Sequence, residues 1–192
     1  GERDYTRDVL RVSGILDGEE VHIMVNHWPS RSGGEARSQP LRIAAAKVCR
    51  GIADSIRQVN PNAKILIMGD LNDDPSNTSV RDVLSAEPKM SKVREGEMFN
   101  PMYEFYKKGI GTLAYRDAWN LFDQIILSKA LIDKEVGGYQ YLRAQIINKP
   151  YLYQKTGQYK GYPYRTFAGS TYLGGYSDHF PVCVYLVKEV RP

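Results

Sequence analysis

The sequence predicts a layered α/β fold, and three observations carry that prediction. Lys64-Ile-Leu-Ile-Met-Gly69 is an apolar run bounded by a charged residue and a glycine, which is how a strand buried on both faces reads. Leu41, Ala44, Ala45, Val48, Ile52, Ile56 and Val59 recur at three- and four-residue steps, giving one apolar face to a helix of about 20 residues. Two β-type runs precede that helix, so strand, helix and strand follow one another in the chain.

The first two runs, residues 9–16 and 21–26, are joined by Asp17-Gly18-Glu19-Glu20, and an Asp-Gly turn between apolar runs signals a hairpin. The second run passes directly into His27-Trp-Pro-Ser-Arg-Ser-Gly-Gly34, a polar, glycine-rich loop. Ser38 reads as an N-cap with Pro40 in the first turn, and Pro61 ends the helix. After the buried run come Asp70, Asn72, Asp73 and Asp74, then Pro75 and Ser76. This is an Asx-rich turn, or else polar chemistry held at the end of a rigid strand. Ser76 or Asn77 can cap a short helix through Leu84. Residues 86–111, irregular and containing Pro88 and Pro101, read as a long surface connection. Residues 120–128 and 139–147 predict two more strands, and residues 180–187 the last one. Between them, residues 148–176 are dense in Tyr, Gly and Lys. The favoured reading is a large, stiffened surface loop; the alternative is a wall facing substrate, with aromatic and basic residues interleaved as beside bases or sugars.

The totals bound the class. At 192 residues the chain is one domain, or a large piece of one, with an ordinary soluble composition of 42% hydrophobic and 25% charged residues. No apolar run approaches the roughly 20 residues needed to span a bilayer, and the first residues lack the apolar stretch of a signal peptide. Gly1 in place of an initiator Met suggests a processed or truncated start. A formal charge of +4 suits a phosphate-bearing partner but is far from a nucleic-acid tail. Cys49 and Cys183 sit in apolar patterns and read as two buried thiols, leaving the compartment open.

Four strand edges carry polar groups that a strand pattern does not need. They are His27, the pair Asp70 and Asn72, Asp123, and Asp178-His179. Asp123 is the hardest to dismiss, because a carboxylate within Leu121-Phe-Asp-Gln-Ile-Ile-Leu127 needs a partner to offset its desolvation, and a His cation is a natural one.

Asn26-His-Trp-Pro-Ser-Arg31, Gly69-Asp-Leu-Asn72, Phe122-Asp-Gln-Ile125 and Ser177-Asp-His-Phe-Pro181 together resemble the endonuclease/exonuclease/phosphatase superfamily, in that family's order and over residues 8–188. Residues 120–126 further resemble a bacterial branch of it. The resemblance implies the fold of deoxyribonuclease I, a four-layer β-sandwich with flanking helices, and Mg²⁺- or Mn²⁺-dependent cleavage of phosphate esters. By the same resemblance, Asp70 orients or deprotonates the attacking water, and Asn72 binds that water or the scissile phosphate. Asp178 stands near the metal, His179 stabilises the phosphate's developing charge, and Asp123 orients His179. His27 contacts phosphate. Arg31 is placed at the substrate by its charge and proximity alone.

The family's N-terminal part, with an Asn and the main metal-binding Glu, is not found in this sequence. The chain therefore reads as the C-terminal portion of such a domain over residues 1–192, weak or inactive by itself. An apolar sheet face would be left to be covered by the missing segment or by self-association. A nuclease acting on DNA or RNA leads among the functions. A phosphatase or phosphodiesterase for a phosphoinositide, sphingomyelin or another small ester is the alternative, and a catalytically silent binding domain is the reading from a different class.

Overall fold

The computed structural model describes residues 6–189. β1 (Leu10–Leu16) and β2 (Glu19–His27) form the expected hairpin. Asp17 and Gly18 both have positive φ, as a tight two-residue turn demands. α1 (Glu35–Val59) crosses to β3 (Lys64–Asp70), which lies parallel to β2. β4 (Ala86–Glu87), β5 (Met98–Phe99), the short helix α2 (Tyr103–Lys107) and the hairpin of β6 (Leu113–Tyr115) and β7 (Ala118–Asn120) come next. They lead to β8 (Asp123–Ser128), β9 (Gln140–Ile146), the small hairpin β10 (Phe167–Ala168) and β11 (Thr171–Tyr172), and β12 (Val182–Val187). The main sheet runs in the order β1-β2-β3-β8-β5-β4, and β9 pairs with β12 in a second sheet.

Alternation along β3 sorts the two cores. Ile65 and Ile67 face α1, with Met24, Cys49, Ala53 and Ile126, while Leu66 and Met68 face the opposite side, with Leu127, Ile146, Val184 and Phe180. Each of Ile65, Leu66 and Ile67 is buried, worth roughly 1.5–3 kcal/mol of transfer free energy apiece. The result is the helix–sheet–sheet part of a sandwich with flanking helices. The outer face of β9 and β12 stays open at Leu142, Tyr185 and Val187.

Four expectations change. α1 begins at Glu35 with Gly34 as its cap; Ser38 instead lies within the first turn and donates to the Gly34 carbonyl (2.8 Å). The buried face of α1 is Ser38, Arg42, Ala46, Cys49, Ala53 and Ile56, whereas Leu41, Val48 and Val59 point outward. Residues 86–111 are more than a surface connection, because β5 pairs with β8 through Met98↔Ser128 and Phe99↔Leu127 and buries Met98, Phe99 and Met102. Residues 76–84 form one turn of π-helix, Ser79–Val83, in place of a regular helix. Cys49 is buried and Cys183 partly so, both as free thiols. No helix among the described residues is long and apolar enough to cross a membrane.

Candidate functional site

Register places the expected residues in one row. The parallel pairing of β2 with β3 sets His27 beside Asp70, and the antiparallel pairing of β3 with β8 sets Asp70 beside Asp123. Three neighbouring strands thus deliver three polar side chains to the same end of the sheet. Gly69 permits the approach. Its φ is +129°, and a Cβ there would collide with the Asn26 carbonyl on β2.

His27 Nε2 lies 3.5 Å from Asp70 Oδ2. The other Asp70 oxygen, Oδ1, accepts the Asn72 backbone N–H at 2.9 Å, in a turn that holds Asn72 at a left-handed φ of 50°. The Asn72 side chain donates one of its two amide hydrogens to the Trp28 carbonyl (2.9 Å), joining this turn to the loop after β2. His179, just before β12, brings Nδ1 to 2.8 Å from Asp123 Oδ2. Thr112, which sequence reasoning missed, donates its hydroxyl to the same oxygen at 2.5 Å, and its carbonyl accepts the Phe180 N–H. A lone threonine in an irregular stretch carries no signal that could have found it.

The electrostatics follow from this crowding. Burial first, and then the neighbouring charge of Asp123, push the Asp70 carboxyl above its usual range, against the pull of the Asn72 N–H, His179 and His27. Burial opposes protonation of His179, but its hydrogen bond to Asp123 and the charges of Asp123, Asp70 and Asp178 outweigh that and raise its pKa. Because an ionised carboxylate only accepts, Nδ1 of His179 is the donor to Asp123, and Nε2 faces away with its own proton when the ring is charged. Asp178 is exposed beside it.

Arg31 stands apart from this row. Its guanidinium donates to the Asn72 carbonyl (2.9 Å), Asp73, Asp74 and Asn77, pairs with Glu35, and lies 4.4 Å from the Phe122 ring centroid. Behind it, fully buried Arg42 holds Nε 2.7 Å from Asp73 Oδ1, an ion pair by distance but not an aligned hydrogen bond. The Arg42 guanidinium also donates to Ser38 Oγ and to the carbonyls of Glu35, Pro29 and Ser30. Two arginines therefore clamp the Asp70–Asn77 turn to the His27 loop and to α1.

For a divalent cation the donor set is suitable in kind. Asp70, Asp123 and Asp178 put three carboxylates around His179, a surplus of negative charge with hard oxygen donors. Among the described residues, no three Asp, Glu, His or Cys side chains converge to hold an ion by themselves.

Comparison with known proteins gives the family and the fold. The sequence matches the Endonuclease/Exonuclease/phosphatase family over residues 2–188. No curated protein matches it. Its fold is similar to that of truncated Caenorhabditis elegans TDP2, with a TM-score of 0.55 at 17% identity over 91% of this chain and 57% of that one. D. rerio TDP2 in complex with a single-strand DNA product gives 0.55 at 15% identity, over 94% and 61%. The mannosyl-6-phosphatase of Bacteroides thetaiotaomicron VPI-5482 gives 0.50 at 16% identity, over 89% and 52%. The chain thus spans little more than half the length of these relatives.

Proposed function

The chain belongs to the endonuclease/exonuclease/phosphatase family, and on that premise we propose that it carries the acid–base groups of a metal-dependent hydrolase of phosphodiester bonds, with nucleic acid as substrate. The observation that carries this reading is the row His27, Asp70, Asp123 and His179, drawn from the ends of three adjacent strands and the approach to β12.

In this reading Asp70, the carboxylate whose proton affinity is raised, takes up the proton of an attacking water. Asn72 fixes Asp70 through its backbone N–H and has an amide hydrogen left for the water or the phosphate. His179, whose cationic form Asp123 favours, turns Nε2 to a phosphoryl oxygen, and His27 supplies a second donor across Asp70. Thr112 and Asp123 orient the imidazole. Arg31, committed to Asn72, Asp73, Asp74 and Asn77, serves by holding the turn. Asp178 would contribute oxygens to Mg²⁺ or Mn²⁺, which is commonly held by one or two carboxylates and the substrate's own phosphate. The ion would supply positive charge at the phosphoryl oxygens.

The reading includes a partner. β1 is exposed along its length, with Leu10, Val12, Ile15 and Leu16 open to solvent. Beside it, Trp28, Leu41, Ala45 and Val48 line a groove of about 720 Å³. A further segment of the same protein, preceding this chain in the domain, covers both and brings the remaining metal ligand.

The test is hydrolysis of bis(4-nitrophenyl) phosphate by the complete protein, with and without EDTA, beside His179→Ala. Turnover that needs Mg²⁺ or Mn²⁺ and is lost in the variant supports the reading; metal-independent turnover, or full activity in His179→Ala, overturns it. A small phosphate ester is the second reading. Salt separates the two, since affinity for a nucleic acid falls steeply with log[salt] and affinity for a small ester barely changes.

A further inference from the structure

We propose that the tyrosine-lined pocket beside the Ser177–His179 loop is a nucleobase subsite, an inference that rests on the phosphoesterase reading and names the substrate group that site receives. Tyr151, Tyr153, Tyr164, Tyr176 and Lys155 line a cavity of about 360 Å³, at the small end of the ~300–1,000 Å³ typical of ligand pockets.

The pocket is built into the same loop crossing as the catalytic histidine. The backbone N–H groups of Tyr176 and Ser177 both donate to the Tyr164 carbonyl, at 2.7 and 3.2 Å. Gly175 makes that crossing possible, because a Cβ there would strike the carbonyls of Tyr164 and Arg165. Tyr153 packs edge-on against Phe180, the residue after His179, with ring centroids 5.0 Å apart. A ring lodged in the pocket is therefore within a few residues of the phosphate position.

The lining fits a flat aromatic ligand. Tyr151 and Tyr176 are 59% and 64% exposed and stand edge-to-face at 6.0 Å, so open ring faces stand at the mouth. Stacking on such faces is tolerant of which base is presented. The surrounding charge fits the rest of a nucleotide. Lys155 lines the pocket itself, and between Glu135 and Asp178 the sequence contains five Lys or Arg residues and no Asp or Glu. Gln154 and Thr156, which also line the pocket, offer donors and acceptors to the edge of a base stacked on these rings.

The test is calorimetric titration of the complete protein, in EDTA, with adenosine, adenosine 5′-monophosphate and ribose 5-phosphate. The monophosphate is expected to bind at least about tenfold more tightly than ribose 5-phosphate, and Tyr176→Ala to erase that difference while Tyr176→Phe keeps it. Tyr151→Ala, on a separate segment, gives the same readout should Tyr176→Ala fail to fold. Equal binding of the two phosphates by wild type, or an equal loss of both in Tyr176→Ala and Tyr151→Ala, would overturn the proposal. His179→Ala keeps the two failures apart. The subsite predicts unchanged adenosine binding in that variant, whereas the phosphoesterase reading predicts weaker ribose 5-phosphate binding.

Discussion

Removing the guanidinium of Arg42 tests the clamp that holds the acidic turn in place. Arg42 is fully buried, and Asp73, its ion-pair partner at 2.7 Å, is 1% exposed. Arg42→Met keeps most of the volume but leaves Asp73 a buried carboxylate, with only Arg31 at 3.3 Å and the Ser79 hydroxyl at 2.6 Å to hold it. It also removes the donor that the guanidinium supplied to the Pro29 and Ser30 carbonyls, while the Glu35 carbonyl keeps the Ser38 hydroxyl. Breaking a buried pair by removing one partner costs about 3–5 kcal/mol, and the remaining Arg31 places this case near the lower end. Urea unfolding followed by tryptophan fluorescence is the assay, since Trp28 is buried in the adjoining loop and its indole N–H is held by Asn26. A loss of about 3 kcal/mol moves the midpoint down by roughly 1–3 M. Adding Asp73→Asn to Arg42→Met removes the orphaned charge and is expected to restore part of that loss. A cost below about 1 kcal/mol for Arg42→Met, or no relief in the double variant, would refute the reasoning.

Other consequences follow from the same geometry. Glu19 is brought from its ordinary 4.5 down to about 2: burial works against its ionisation, but Lys64, the Tyr139 N–H and Lys188 outweigh it. Its stabilisation is therefore fully present above about pH 4.5 and lost as pH falls through about 2. The full shift would be worth about 3 kcal/mol, which solvent screening of this partly exposed pair reduces to about 1. The stability gap between wild type and Glu19→Gln should close in acid, and a gap constant from pH 6 to pH 2 would contradict the assignment. Gly69→Ala forces an L residue to a φ of +129° and a Cβ into the Asn26 carbonyl, so thermal melts should show a loss of at least about 2 kcal/mol. A near-neutral result would mean that β2 and β3 do not meet so closely. Asp123→Asn removes the charge that holds His179 as a cation, and kcat for a phosphodiester at neutral pH should fall about a hundredfold or more while circular dichroism is unchanged.

What was legible in the sequence was what short-range pattern encodes. β3 announced itself because both its faces are buried, leaving an uninterrupted apolar run. The polar residues at strand ends stood out for the opposite reason, as groups the pattern had no use for. The face of α1 was misread because apolar periodicity assigns arginine to solvent. Arg42 turns inward only because Asp73, far along the chain, neutralises it, and small residues such as Ala46 and Ala53 let the helix lie close to the sheet. Leu41 and Val48, counted as core, instead line the groove beside β1. β4 and β5 are two residues each, too short for any periodicity, and exist through their pairing with one another and of β5 with β8. Thr112 was invisible for a similar reason, since its role depends wholly on Asp123 and Phe180 arriving from elsewhere.

The most direct measurement of the central claim is nicking of supercoiled plasmid DNA by the complete protein in Mg²⁺ or Mn²⁺, with Asp70→Asn and His179→Ala beside it. The account predicts relaxed circles from wild type, none above background from either variant, and none in EDTA. Undiminished nicking by Asp70→Asn, or no nicking by a folded wild-type protein that still hydrolyses small phosphodiesters, would contradict it.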